Sequence, residues 1–253
     1  MKLGFARGIE ALSTVEKSGY DYIELSVGAI AELSDDEVKS LKETLDNSKV
    51  KCVSCNCLMS NKVPPLCFDG GMYRSRLYLE KVMKRLAYLG VKTVVFGSGK
   101  FRYMPEEAAP ARQKELLRNF MVMLESIARE NDILVVIEPL NASETNTILT
   151  TAEAMEYVKE LDLPNLKLLV DLYHFYRENE PMERIYEYGK YIKHVHIAEP
   201  TKRDYMTKAD EYDYAPFFKA LCDIGYDGAV VFEGGRSDFD SGIASTYEVL
   251  KSF

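Results

Sequence analysis

The stretch Leu168–His174, LLVDLYH, is an apolar run that ends in an aspartate and a histidine, and Lys193–His196, KHVH, follows it later in the chain. Together they contain all three histidines of the protein. Two more apolar runs finish in a carboxylate: Ile133–Glu138, ILVVIE, and Ala229–Glu233, AVVFE. β-branched and apolar runs of this length are typical of buried parallel strands. Four strands that each deliver a Glu, Asp or His at the carboxyl end indicate a site at one rim of a parallel barrel.

The rest of the chain alternates between strand and helix signals. Four further strands are predicted before the first carboxylate strand, and each is followed by a helical pattern. The clearest helix start is Ser34, with Glu37 three residues on, which forms a capping box, and the clearest stop is Gly90. A long helix is predicted to begin at Pro105 and another near Glu211. Eight βα units without a linker or a composition shift predict an α/β protein, a single-domain (β/α)8 TIM barrel over residues 1–253. The four earlier strands are predicted at Lys2–Ala6, Tyr22–Leu25, Lys51–Asn56 and Thr93–Phe96.

Composition narrows the classes of function. The 253 residues are 47% hydrophobic and carry a net charge of -8, which disfavours a nucleic-acid partner because phosphate binding needs a basic surface. No stretch approaches the roughly 18 apolar residues of a membrane span, and the N-terminus has no signal segment. We therefore expect a cytoplasmic protein that contacts neither nucleic acid nor membrane.

Four of the five cysteines, Cys52, Cys55, Cys57 and Cys67, lie close together in the sequence. They could form a zinc cluster, but only one partial knuckle is present where structural zinc sites usually have two. In a strand, Cys52 would face away from Cys55 and Cys57. A buried strand that uses cysteine as a small hydrophobe is the favoured interpretation, and a disulfide is disfavoured in a cytoplasmic chain. The role of the four cysteines stays open.

The carboxylates and the histidine at the strand ends suit a divalent cation. Glu138, Asp171, His196 and Glu233 offer three carboxylates and one imidazole, a set that favours Mn²⁺, with Co²⁺, Mg²⁺ or Zn²⁺ as alternatives. Such a metal would acidify the carbon-bound proton beside a coordinated carbonyl and hold the developing enediolate. Glu138 and Glu233 could remove and return that proton on opposite faces of the carbon. A single carboxylate after a strand is often only a helix cap, but four in succession favour a site.

The motifs IEPLN (Ile137–Asn141), VDLYH (Val170–His174), HVH (His194–His196) and FE (Phe232–Glu233) resemble the sugar phosphate isomerase/epimerase superfamily, the xylose isomerase-like TIM barrels. Within it, the ketose 3-epimerases of the D-tagatose and D-psicose group are the most similar pattern. The resemblance spans essentially the whole chain. It implies that the four strand-end residues are the metal ligands and that Glu138 and Glu233 form the acid/base pair.

The resemblance also implies substrate contacts. Glu144 and His174 match family residues that bind the sugar, and Asn141, in the same motif as Glu138, is also expected to bind the substrate. A family arginine past the strand-seven histidine matches Arg203 if one residue is inserted, since the expected offset falls on Lys202. Glu24 matches a family glutamate near strand two that is either substrate-facing or structural. His194, one layer below His196, is expected to support the site rather than to bind metal.

The expected function is a metal-dependent isomerase or epimerase of a ketose or keto-sugar. Lyases and dehydratases of the same superfamily begin with the same proton abstraction and stay open as alternatives. A nuclease of the AP endonuclease type is disfavoured by the few histidines and the acidic charge, and a sugar-binding barrel without catalysis by the complete ligand set. The loop Gly97–Arg102 could bind a substrate phosphate through its N–H groups, although a plain βα turn is favoured. By resemblance, a homo-oligomer, dimer or tetramer, is plausible.

Overall fold

A computed structural model of the chain describes residues 1–212 and 214–253. Its eight strands close into a parallel barrel in which each strand pairs with its neighbours in sequence and β8 returns to β1. The single (β/α)8 barrel predicted from the sequence is therefore confirmed. The strands are β1 (Lys2–Ala6), β2 (Tyr22–Ser26), β3 (Ser54–Asn56), β4 (Thr93–Phe96), β5 (Leu134–Ile137), β6 (Leu166–Asp171), β7 (Ile192–Ile197) and β8 (Ala229–Phe232).

Eleven α-helices are seen in the described part of the chain, most of them around the barrel. None of them combines the length and the apolar composition that a bilayer span requires. The helices are α1 (Leu12–Lys17), α2 (Val27–Glu32), α3 (Asp35–Asn47), α4 (Gly71–Leu89), α5 (Gly99–Arg102), α6 (Pro110–Glu130), α7 (Thr151–Leu161), α8 (Leu172–Arg177), α9 (Glu183–Tyr188), α10 (Tyr214–Asp223) and α11 (Phe239–Lys251).

The predicted helix ends are confirmed where the local chemistry is strong. Ser34 and Glu37 form the reciprocal capping box at the start of α3. Gly90 ends α4 in the left-handed conformation, with φ of 92°, which glycine adopts without steric cost.

The long helix expected to begin at Pro105 begins at Pro110 instead. Both prolines suit a first helical position, but the backbone N–H and carbonyl of Met104 are bound by the side chain of Asn146, and a turn follows at Pro105. These contacts hold the chain outside the helix until Pro110. The helix expected to begin at Glu211 is seen from Tyr214, and Asp213 lies outside the described residues.

The barrel interior contains a small apolar cluster of Val95, Val136 and Leu169. Val136 and Leu169 stand two residues before Glu138 and Asp171, so they face the same side of the sheet one layer below them. The much larger core lies between the outer face of the barrel and the helices. The interior layer thus forms an apolar floor beneath the strand-end carboxylates.

Strand β3 is shorter than predicted, and this changes the arrangement of the cysteines. Cys52 precedes the strand, and its thiol lies 3.8 Å from that of buried Cys55. The prediction that the two point to opposite faces was wrong, because strand alternation does not extend to Cys52. Cys57 follows the strand with φ of 48° and is exposed, and Cys67 is half-buried.

Candidate metal centre

The four predicted metal ligands lie at the same end of four strands. Asp171 is the last residue of β6 and pairs in register with His196 of β7. Glu138 directly follows β5, and its N–H donates to Phe96 O of β4. Glu233 directly follows β8, and its N–H donates to Ile197 O of β7. The regular parallel ladder therefore carries these side chains to one rim of the barrel.

Their donor atoms converge on one small volume. One atom from each of Glu138, Asp171, His196 and Glu233 lies within 4.8 Å of the others. His196 Nδ1 is 3.2 Å from Glu138 Oε1 and 3.1 Å from Glu233 Oε2. The first three residues are buried and Glu233 is partly exposed, so the cluster opens to solvent on the Glu233 side.

The clustered carboxylates differ in their affinity for protons. Burial raises the pKa of Asp171 to about 7, with Glu138 adding to the shift, and burial also raises the pKa of Glu138. For Glu233, burial opposes ionisation, but the positive charges of His196 and Arg203 outweigh it and lower the pKa. Three carboxylates in one buried cluster repel one another, and a cation relieves that repulsion.

The residues fit a divalent metal. Asp171 Oδ2 is buried and accepts no hydrogen bond among the residues that the structure describes; its nearest cation there is the Arg203 guanidinium, 3.5 Å away. A buried carboxylate oxygen that accepts no hydrogen bond is costly, and a metal ion in the cluster would satisfy it. Three oxygens and one imidazole nitrogen form a mixed donor set suited to Mn²⁺, Mg²⁺, Co²⁺ or Zn²⁺. The donor set therefore agrees with a single divalent site.

Glu24 lies on the other side of His196. Its carboxylate oxygens are 2.8 Å from the Nε2 atoms of His196 and His194, and Ser54 Oγ donates to it. Although burial opposes ionisation, His196 and His194 lower the pKa of Glu24 to about 2. An ionised carboxylate only accepts, so His196 donates from Nε2 and turns Nδ1 toward the metal centre.

This placement favours the structural alternative for Glu24 over the substrate-facing one. Glu24 is 0% exposed, and its partners among the described residues are the two imidazoles and Ser54. His194 is likewise held below the site, as expected from its position one layer beneath His196. Glu24 therefore contacts the ring of His196, and His194 contacts Glu24.

His174 presents a hydrogen-bond donor to the site. Its Nδ1 accepts from the backbone N–H of Asn141 at 3.0 Å and from the Asn141 side-chain amide at 2.8 Å, so the ring proton lies on Nε2. That Nε2 is buried, 3.6 Å from Asp171 Oδ2, and unpartnered within residues 1–212 and 214–253. A buried donor of this kind is available to a ligand hydroxyl. Asn141 thus acts through His174.

Arg203, rather than Lys202, reaches the site, as the assumed one-residue insertion requires. Its guanidinium donates to Glu233 Oε2 at 2.6 Å and to Glu144 Oε1 at 3.2 Å, and it lies 5.2 Å from the ring centroid of Tyr173. Glu144 and Arg203 are therefore brought together at the rim beside Glu233. Lys202 is exposed, and its N–H donates to Glu199.

The loop Gly97–Arg102 forms a compact turn. The N–H groups of Phe101 and Arg102 both donate to Ser98 O, so they are used within the loop. A side chain at Gly97 would overlap the Glu138 carboxylate, and one at Gly99 would lie 2.6 Å from Glu144 O. These glycines allow the loop to pack against two site residues, which favours the plain turn over a phosphate cradle.

Two polar residues of β3 belong to the site and were missed from the sequence. Asn56 donates from its amide to Glu233 Oε1 at 2.5 Å, and Ser54 binds Glu24. Both face the barrel interior, two residues apart. Their signal was the polar alternation at the end of strand three, which the neighbouring cysteines obscured.

With this geometry established, comparison with known proteins identifies the chain as a member of the xylose isomerase-like TIM barrel family, whose profile matches residues 12–253. The resemblance inferred from the strand-end motifs is confirmed.

Relatives of known activity share parts of the chain. A ketose 3-epimerase of Arthrobacter globiformis is 39% identical over 44% of this chain and 38% of its own length. A 3-dehydro-D-guloside 4-epimerase of Escherichia coli is 28% identical over 62% of each. Both matches thus span less than two thirds of the relative's length. The D-allulose 3-epimerase of Methylomonas sp., solved with D-allulose, superposes with a TM-score of 0.85 over 100% of this chain and 96% of that one at 22% identity, which shows the shared fold.

Proposed function

We propose that this protein is a metal-dependent epimerase or isomerase of a ketose or keto-sugar. The observation that carries the proposal is the position of Glu138 and Glu233, which approach His196 Nδ1 from two different strands at 3.2 and 3.1 Å, with Asp171 in the same cluster. The epimerase names of the relatives support the isomerase class that the sequence predicts.

The chain's own residues supply the proton chemistry. Glu138 and Glu233 come from β5 and β8, so a sugar carbon held between them meets one carboxylate on each side. One carboxylate removes the proton beside the carbonyl and the other returns a proton to the opposite face, which inverts the carbon. The deprotonated sugar between the two steps is an enediolate. The apolar floor below the site limits access of water from inside the barrel.

Glu138, Asp171, His196 and Glu233 would hold the metal, and Mn²⁺ agrees best with the mixed oxygen and nitrogen donors. When bound, a divalent cation polarises the carbonyl and stabilises negative charge on its oxygen. Glu24 fixes the His196 ring through Nε2, so Nδ1 stays aimed at the cluster.

The sugar's hydroxyls would meet His174, Arg203 and Glu144 at the rim. The Nε2–H of His174 has no partner among the described residues and can donate to a hydroxyl. Arg203 Nη1 donates to Glu144 Oε1 at 3.2 Å, so the two side chains offer a donor and an acceptor side by side. Asn141 orients His174, and Glu24 is assigned to the metal rather than to the sugar. A substrate phosphate finds less support, because the N–H groups of Phe101 and Arg102 in the Gly97–Arg102 turn donate to Ser98 O.

A lyase or dehydratase of the same superfamily would begin with the same proton abstraction. Analysis of the products therefore separates these reactions from epimerisation or isomerisation. The test is incubation of metal-refilled protein with D-fructose, D-psicose, D-tagatose and a keto-glucoside in ²H₂O. We expect solvent deuterium at the carbon beside the carbonyl and an epimer or isomer as product. Elimination products would indicate a lyase, and no exchange with any of the sugars would contradict the proposal.

The Glu233→Gln variant tests the acid/base assignment. The amide is nearly isosteric but cannot accept the proton, so we expect a native fold and turnover reduced by about 10²- to 10⁴-fold. Glu16→Gln, on α1 away from the site, is the matched control. Near-wild-type turnover in Glu233→Gln would exclude the role assigned to Glu233.

A cytoplasmic location and a dimer or tetramer stay predictions, to be checked by fractionation and light scattering.

A further inference from the structure

The mouth of the barrel divides into two lobes. The residues that line both are Ser26, Ala29, Cys57, Arg203 and Glu233. The polar lobe, of about 820 Å³, extends over β3 and β4 and is lined by Ser60, Lys62, Ser98 and Lys100 among others. The apolar lobe, of about 510 Å³, extends over β1 and β2. Its apolar wall consists of Ile9, Leu25, Ala29, Ile30, Leu33 and Leu41.

The apolar lobe offers few free hydrogen-bonding groups to a ligand. Four polar side chains that line it are already paired, since Asn56 and Arg203 donate to Glu233 and Glu24 is bound by His194 and His196. The Ser26 hydroxyl accepts from Ala29 N–H at the start of α2. The Arg7 guanidinium donates to Tyr205 Oη and lies 5.4 Å from the ring centroid of Phe239. Glu10 stands exposed at the outer edge. A sugar hydroxyl placed along the wall of this lobe would lose water without gaining a partner, which is unfavourable.

Building on the proposed function, we infer that the substrate is a keto-glycoside whose apolar aglycone occupies the apolar lobe. A free ketose carries a hydroxyl or carbonyl on every carbon and has no apolar group to place there. In a glycoside whose ring contains the ketone, the reacting C–H lies beside the carbonyl, and the anomeric carbon is free to carry an alkyl or aryl group. The lobe opens at Glu233, so a ring held at that carboxylate directs such a group into it.

The lobe is large enough for this occupant. Its volume of about 510 Å³ falls within the range of small-molecule sites, and its aliphatic wall matches an alkyl or aryl group. Burial of such a group is favourable in proportion to the apolar surface removed from water. The lobe would therefore contribute affinity, while the metal centre determines the reaction.

The test compares methyl and phenyl glycosides of 3-keto-D-glucose, with D-fructose as the free ketose, in equilibrium binding to metal-refilled protein by calorimetry. We expect the phenyl glycoside to bind at least about tenfold more tightly than either of the others. Equal binding of the methyl and phenyl glycosides, or tighter binding of D-fructose, would overturn the inference. So would phenyl binding that is unchanged in the lobe variants below.

Two variants locate the binding. Ile9→Ser and Leu33→Ser, at positions that line the apolar lobe and not the polar one, each make its wall more polar, and each should bring the phenyl-to-methyl affinity ratio close to one. Val122→Ser, at an exposed position on α6, is the matched control and should keep the wild-type ratio. Thermal unfolding confirms that each variant is folded. Affinity and deuterium exchange are separate measurements: absent deuterium exchange would contradict the proposed reaction, whereas equal glycoside affinities would contradict only the aglycone site.

Discussion

At the scale of single residues, the site depends on how Glu24 holds His196. Replacement of Glu24 by Gln keeps the shape but removes the charge that fixes the two imidazoles. We expect metal affinity to fall by about 10- to 100-fold, as for other residues that orient a ligand. Isothermal titration with Mn²⁺ measures this, with Glu16→Gln as control. Unchanged affinity would show that His196 keeps its orientation without Glu24.

Asp171 illustrates a conflict between stability and binding. Burial raises its folded pKa to about 7 from an ordinary value of 3.8, so its ionised form destabilises the metal-free protein at higher pH. The penalty is fully present above pH 7 and disappears as the pH falls toward 4 and the folded carboxyl takes up a proton.

Asp171→Asn should therefore stabilise the metal-free protein by about 1–4 kcal/mol at pH 8, less at pH 5, while abolishing metal binding. Denaturant unfolding at the two pH values measures the difference. A variant that is less stable than wild type at pH 8 would contradict the raised pKa.

The candidate metal-binding residues at the strand ends were predictable because Glu138, Asp171 and Glu233 each follow an apolar run and His196 ends a short strand that carries two histidines. Glu24 was ambiguous, since its role depends on two histidines about 170 positions away in sequence. Asn56 gave even less signal. Its contact with Glu233 crosses from β3 to β8, which no local pattern reports.

At the scale of elements, the β4–α5 turn sets the position of Glu138. A methyl group at Gly97 would overlap the end of the flexible Glu138 side chain rather than backbone, so Glu138 should move while the barrel stays folded. We expect Gly97→Ala to lower turnover by about tenfold to a hundredfold, since small displacements of a catalytic group are costly.

Gly225→Ala is the control for this element. Gly225 has φ of 68° but open space around it, so a methyl group there adds backbone strain of about 1 kcal/mol without touching the site. Gly97→Ala should lower metal affinity and leave the melting temperature nearly unchanged. Gly225→Ala should lower the melting temperature and leave metal affinity unchanged. Full turnover and metal affinity in Gly97→Ala would show that the turn does not constrain Glu138.

Element types were predictable for the long, strongly patterned segments and much less so for short ones. The helices α2, α5 and α8 are only four to six residues long and begin within three residues of the end of a strand, so their hydrophobic period is too short to recognise. The start of α6 was misplaced because Asn146, 41 residues beyond Pro105, holds the preceding backbone.

At the scale of the whole molecule, the candidate metal centre joins strands β5 to β8, and Glu24 and Asn56 connect it to β2 and β3. A metal that binds only the folded protein stabilises it by about 2.7 kcal/mol at a concentration 100 times the dissociation constant. For a chain of this size, the melting temperature should rise by about 5–10 °C on addition of Mn²⁺. Differential scanning calorimetry measures the shift, and no shift in wild type would contradict the site.

The most direct test of the central claim is the metal content per chain, measured by elemental analysis of protein stripped and then refilled with Mn²⁺, Co²⁺, Mg²⁺ or Zn²⁺. Four strand-end ligands in one cluster predict about one metal per chain in the wild-type protein and none in Asp171→Asn. Two or three zinc ions per chain would indicate phosphodiester chemistry instead. No bound metal in the wild-type protein would contradict the account, because Glu138, Asp171, His196 and Glu233 would then only stabilise the rim of the barrel.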